Sequence, residues 1–133
     1  MSDFLFVYGT LMRAVRHPMH CHVAAHSEYI DEASFNGRLY MVHHYPGVVD
    51  SPVMYDRVHG ELYRAHSGAA FGLLDEYEGC GPTVPQPAEY VRVQRPVARA
   101  NGTVVTAWIY LYNHPVERLP LIPSGRFLPP NSP

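Results

Sequence analysis

Tyr90-Val91-Arg92-Val93-Gln94-Arg95-Pro96-Val97 and, beyond Ala100-Asn101-Gly102, the run Thr103 to Tyr112 form the most readable stretch of the chain. Both arms are rich in β-branched and aromatic residues, which suit a pleated, half-buried surface. Asn-Gly supplies the positive φ that a tight turn needs, so the arms predict an antiparallel hairpin. Pro96 has no amide to donate and belongs at an edge or a bulge.

Working outward, Val58 to Tyr63 reads as a strand with Val58, Leu62 and Tyr63 as its apolar residues, and Ser34 to Val42 as another that contains Gly37. Tyr45-Pro46-Gly47 is a turn. Phe4 to Tyr8 is a short aromatic and β-branched run, a buried strand that ends at Gly9-Thr10. Ser67 to Glu78 is the best helix, with Ser67 as N-cap and Gly79-Cys80-Gly81-Pro82 as its stop. His17 to Ile30 tolerates a helix but is poorly periodic. Thr83 to Pro87 is a proline-rich loop. The pattern predicts one α+β domain over residues 1–133, with about five strands and one or two helices. From about residue 115 a proline-rich tail is expected to be solvated, loosely packed, or a lid over a pocket.

The totals narrow the function. The 133 residues carry a formal net charge of −2, which gives no pull toward nucleic acid or an anionic membrane. No apolar run approaches the ~20 residues of a membrane span. Met1-Ser2-Asp3-Phe4 has no basic region of a signal peptide, and Cys21 and Cys80 make no disulfide framework, so a reducing cytoplasm is the expectation. Thirteen prolines imply short elements and many turns, and ten tyrosines suit strands and polar-rimmed pockets.

One carboxylate breaks the helical pattern. On a wheel over Ser67 to Glu78, residues Ala70, Phe71, Leu73, Leu74 and Tyr77 share an arc, and Glu76 points away from it. Glu78 follows Leu74 by four and Phe71 by seven, so it projects into the apolar arc. A carboxylate there is partly desolvated and its pKa rises, as a general acid/base near neutral pH requires. The plainer reading is a helix end that frays, or a carboxylate capping a nearby amide.

Several motifs, in order, resemble the γ-glutamylcyclotransferase-like family. Tyr8-Gly9-Thr10-Leu11 after the first strand is similar to its Y-G-[ST]-L substrate loop. Gly37-Arg38-Leu39-Tyr40 with Tyr45-Pro46-Gly47-Val48 resembles its G-x-L-Y … Y-P-G/A segment, and Val58-His59-Gly60-Glu61-Leu62-Tyr63 its V-x-G-E-L-Y strand. Leu74-Asp75-Glu76-Tyr77-Glu78-Gly79 resembles the helix end whose last Glu is catalytic. Tyr90-Val91-Arg92, Ala107-Trp108-Ile109-Tyr110 and Ile122-Pro123-Ser124-Gly125 resemble later segments. The resemblance implies a small mixed β-barrel with flanking helices and cyclotransferase chemistry without metal or organic cofactor. It implies Glu78 as catalytic residue, with Tyr8, Gly9, Thr10, Leu11, Tyr90 and Tyr110 binding a small γ-glutamyl substrate.

Such a substrate carries its own nucleophile, the α-amine, which attacks the γ-carbonyl and closes a five-membered ring. The reaction needs a base that can also protonate the leaving nitrogen, fixed donors for an oxyanion, and a folded glutamyl chain. A non-catalytic binding module on the same fold is the alternative. His17, His20, His22 and His26, with His22 and His26 one helical turn apart, offer a weaker metal-site reading. His43 and His44 are weaker pocket candidates. Cys80 lacks a His/Asn framework for a nucleophile.

Overall fold

The computed structural model describes residues 3–13, 18–68, 70–78 and 88–127, excepting the side chains of residues 70, 73 and 76. In chain order the elements are β1 (Phe4–Val7), α1 (Met19–His26), β2 (Ser27–Phe35), β3 (Gly37–Met41), β4 (Pro46–Asp50), β5 (Val58–Ala65), α2 (Ala70–Tyr77), β6 (Tyr90–Arg99) and β7 (Val104–Tyr112). Five strands close a barrel in the order β1-β5-β2-β6-β7, and β3-β4 form a separate two-stranded sheet. The barrel is mixed, because β1 runs antiparallel to β5 but meets β7 in parallel, with Leu5 beside Trp108. Closure leaves no long free sheet edge among these five strands. Leu5, Phe6, Leu62, Val97 and Ile109 are fully buried, on both faces of the barrel sheet, since Leu5 and Phe6 are neighbours on β1.

The hairpin forms where the sequence places it. Tyr90 pairs with Tyr112 and Ala98 with Val104. Gly102 adopts φ 87°, and the Asn101 side chain accepts the Thr103 amide at 2.9 Å. Pro96 sits just beyond the ladder that joins β2 to Val97–Arg99 of β6, where a missing amide costs little.

Before residue 78 the structure departs from the sequence reading in three ways. The stretch Ser34 to Val42 is two strands, broken at Asn36, whose side-chain amide donates to the carbonyls of Val53 (2.8 Å) and Asp56 (3.0 Å). The helix expected from His17 to Ile30 stops at His26, because Ser27 onward is taken by pairing with β5 and Ser27 Oγ donates to the Val23 carbonyl. Long-range pairing overrides weak helical preference here. The second helix starts at Ala70 rather than at a Ser67 cap, with the Phe71 amide donating to the Gly68 carbonyl at 3.1 Å.

The tail is held, not loose, through residue 127. Leu121 bridges Tyr40, Ile122 N–H donates to the Leu39 carbonyl at 2.7 Å, His59 N–H donates to the Gly125 carbonyl at 2.8 Å, and Phe127 is buried. Among the described residues no helix is long and apolar enough to cross a membrane.

Candidate active site

The segment after β1 is pinned from both sides. Tyr8 is buried, and its hydroxyl donates to the Tyr110 carbonyl at 2.6 Å. Met12 N–H donates back to the Gly9 carbonyl at 3.0 Å, closing a turn. Arg13 N–H then donates to Oε1 of Glu61 at 2.9 Å. Glu61 is a buried carboxylate on β5 that also accepts the Tyr63 hydroxyl at 2.8 Å. The Arg13 guanidinium lies 3.6 Å from Glu61 Oε2 and 3.8 Å over the Tyr29 ring. Among the described residues, the N–H groups of Gly9, Thr10 and Leu11 have no protein acceptor. Backbone amides left open on a turn are the kind of donor that anions use.

The end of α2 is brought to the same place. Phe71 and Leu74 are buried against the barrel, whereas Tyr77 is 38% exposed rather than sharing their buried arc. Its hydroxyl pairs with Thr10 Oγ1 at 2.8 Å, tying the helix to the turn. The Glu78 amide still donates to the Leu74 carbonyl at 2.9 Å, so the helix end does not fray there. Asp75 locks the helix to the barrel. It accepts Arg92 Nε (2.8 Å), Arg92 Nη2 (3.1 Å) and the Tyr110 hydroxyl (2.7 Å). Arg92 also lies 4.5 Å over the rings of Phe71 and Trp108. A bidentate, charge-assisted pair of this kind fixes orientation as well as adding energy.

Tyr8, Gly9, Thr10, Leu11, Glu78, Tyr90 and Tyr110 all line one cavity of about 260 Å³. Among the described residues the Glu78 carboxylate accepts no hydrogen bond. Burial, and then the charge of Glu89, push its pKa up to about 8. Burial, and then Glu78, raise Tyr8 well above the usual phenol range. The hydroxyls of Tyr90 and Tyr110 are directed to other partners. The Tyr90 hydroxyl donates to the Pro46 carbonyl at 2.7 Å and that of Tyr110 to Asp75. They shape the wall and secure the elements that carry it.

The sequence reading missed Glu89, which lines the same cavity and accepts the Tyr45 hydroxyl at 2.5 Å. A single acid beside a proline-rich loop reads as a solvated residue, and Tyr45 reads only as part of a turn. His44 lines the cavity too, but His43 does not. Of the other histidines, His22 and His26 face each other at 4.4 Å and His20 Nδ1 lies 2.9 Å from the Leu11 carbonyl. Among the described residues no three metal-ligating groups converge. His17 and Cys80 lie outside the described residues.

Gly9 is where the turn meets the wall. A Cβ there would stand 2.8 Å from Cγ and 3.0 Å from Cδ of Pro46, a rigid ring that cannot swing away. Gly9→Ala is expected to displace the turn and lower kcat/KM on the order of tenfold or more, since misplaced donors lose transition-state binding. Steady-state kinetics beside a thermal melt checks this, with the larger change expected in the kinetics.

The family described as gamma-glutamyl cyclotransferase, AIG2-like, matches residues 5–129. The gamma-glutamylcyclotransferase family protein YtfP of Escherichia coli K12 is 34% identical over 128 residues, covering 93% of this chain and 95% of that one. The solution structure of E. coli ytfP superposes with a TM-score of 0.63 at 31% identity, over 92% of this chain and 94% of that one. A mouse AIG2-like protein shares the fold, with a TM-score of 0.70 at 23% identity over 98% and 97% of the two chains. The match across residues 5–129, together with 34% identity over nearly the whole of both chains, shows that the chain belongs to the AIG2-like γ-glutamyl cyclotransferase family.

Proposed function

We propose that this protein converts a small γ-glutamyl compound into 5-oxoproline and a free amine, with Glu78 as general acid/base. The observation that carries the reading is the placement of Glu78, its pKa raised to about 8, in one cavity with the open amides of Gly9 to Leu11.

An α-amino group titrates near 7.7–8.0 in unperturbed form. Proton transfer between it and a carboxylate tuned to about 8 is close to energetically level, the condition under which general acid/base catalysis is most effective. Glu78 takes a proton from the substrate α-ammonium. The freed nitrogen attacks the γ-carbonyl carbon, forming the ring C–N bond. The carbonyl oxygen becomes an oxyanion, and the turn amides stabilise it and the α-carboxylate. Glu78 then gives its proton to the leaving nitrogen as the original C–N bond breaks, takes the second proton from the ring nitrogen to leave the neutral lactam, and passes that proton to the departing amine, which leaves as an ammonium. The cavity walls of Tyr8, Tyr90 and Tyr110 hold the flexible glutamyl chain bent, which is worth several kcal/mol of barrier on the order of magnitude of intramolecular reactions.

Because the α-amine is the nucleophile, an α-N-acetyl derivative of a turned-over substrate is expected to be inert, however well it binds. An α-linked glutamyl amide, which cannot reach the five-membered ring, is expected to be inert as well. Paired assays of 5-oxoproline release check both, and turnover of the acetylated compound would rule the mechanism out.

A further inference from the structure

The cavity holds a second carboxylate that the reaction above does not use. Glu89 is fixed in place. Its backbone carbonyl accepts the Asn113 amide at 2.8 Å, the neighbouring Ala88 carbonyl accepts Asn113 Nδ2 at 3.0 Å, and its Oε2 accepts the Tyr45 hydroxyl. Among the described residues Oε1 accepts no hydrogen bond. The chain contains no lysine, and among the described residues no arginine lines the cavity. Residues 79–87, between the two glutamates in sequence, carry no charged side chain.

A γ-glutamyl group brings one ammonium and one carboxylate, which the proposed site engages with Glu78 and the turn amides. The charge of Glu89 is then left for the departing half of the substrate. An amino acid or dipeptide leaving group would set its own carboxylate in the cavity that already holds the Glu89 carboxylate, at a desolvation and repulsion cost. An amine with a second, distal ammonium would meet a held acceptor with a free oxygen.

We infer that Glu89 is a specificity-determining residue that selects γ-glutamyl diamines, in which the leaving amine carries a further positive charge and no carboxylate. This rests on the cyclotransferase reading. Tyr45 acts as the positioning residue, holding one oxygen so that the other is presented.

The test compares kcat/KM for the mono-γ-glutamyl derivative of a linear α,ω-diamine with that for the matching uncharged n-alkylamine, in wild type and in Glu89→Gln. The ratio of the two cancels any general effect of the substitution on Glu78. Wild type is expected to prefer the diamine derivative by about tenfold or more, the size of one charge-assisted contact. Glu89→Gln is expected to bring the ratio to within about twofold of unity, through KM for the diamine derivative. Should the variant fold poorly, the wild-type ratio still reads the contact, because it must fall as salt rises. A wild-type ratio near one, or a preference that survives Glu89→Gln, overturns the inference while leaving the cyclotransferase reading intact. Absence of 5-oxoproline from every γ-glutamyl compound instead removes that reading, and this one with it.

Discussion

Glu78→Gln is expected to lose at least about 10²-fold in kcat/KM, the usual scale for removing a general acid/base, while its melting temperature at pH 8 rises. The two effects share one cause. Burial and the charge of Glu89 disfavour the ionised carboxylate in the folded protein, raising its pKa to about 8. A raised carboxylate pKa means that the folded state holds its proton more tightly than the unfolded chain does. The associated stability is fully present below the ordinary carboxylate range and is lost as pH climbs from there to about 8. Glutamine never ionises and suffers no such loss. The stability difference between variant and wild type is therefore small near pH 4, grows through neutrality and levels off above pH 8. Each pKa unit corresponds to about 1.4 kcal/mol, but Glu78 is only half-buried by surface, so a gain on the order of 2 kcal/mol is the reasonable expectation. Melts of both proteins from pH 4 to pH 9 check it. A variant that melts well below wild type at pH 8 would make Glu78 a structural partner.

The pH dependence of the wild-type rate is the second large effect. With a base titrating at about 8, kcat/KM must climb about tenfold between pH 6 and pH 7, because each unit below the pKa removes nine tenths of the ionised form. An ordinary glutamate would give a flat profile over that range. The substrate amine titrates nearby, so the limb needs an assignment to the enzyme. Glu89→Gln provides one, because it removes the second cause of the shift and should move the limb to lower pH for the same substrate. Tyr8, Tyr77 and Tyr90 also sense the charge of Glu78, but their own pKa values are raised above the phenol range and they stay neutral throughout. A limb that stays where it is in Glu89→Gln would belong to the substrate.

The parts of the fold legible in the sequence were those decided locally. Asn101-Gly102 announces its hairpin because the turn geometry demands a positive φ, and Leu74 and Phe71 announce the face on which Glu78 lies because helical spacing is short-range. What was not legible depends on partners far along the chain. Ser27 to Ile30 joins a strand only because β5 is there to pair with it. Asn36 breaks a run that reads as continuous because carbonyls about twenty residues later capture its amide. Closure of the barrel by a parallel contact between β1 and β7 leaves no local signal at all.

The site divides in the same way. The turn from Tyr8 to Leu11 and the helix end at Glu78 carry their own motifs, so the sequence could nominate both. Their arrival in one cavity depends on the Thr10–Tyr77 contact and the Asp75–Arg92–Tyr110 lock, which no single stretch contains. Glu89 stayed hidden because nothing in a lone acid at a strand entrance separates it from a surface residue until Tyr45 and Asn113 are seen to hold it.

Whether Glu78 drives a cyclotransferase reaction is read most directly from 5-oxoproline release from a panel of γ-glutamyl amines, amino acids and dipeptides, run in parallel with wild type and Glu78→Gln. Wild type is expected to release stoichiometric 5-oxoproline and free amine from at least one compound, and the variant to do so at a rate at least about 10²-fold lower. Tight binding without any 5-oxoproline, or undiminished release by Glu78→Gln, would contradict this.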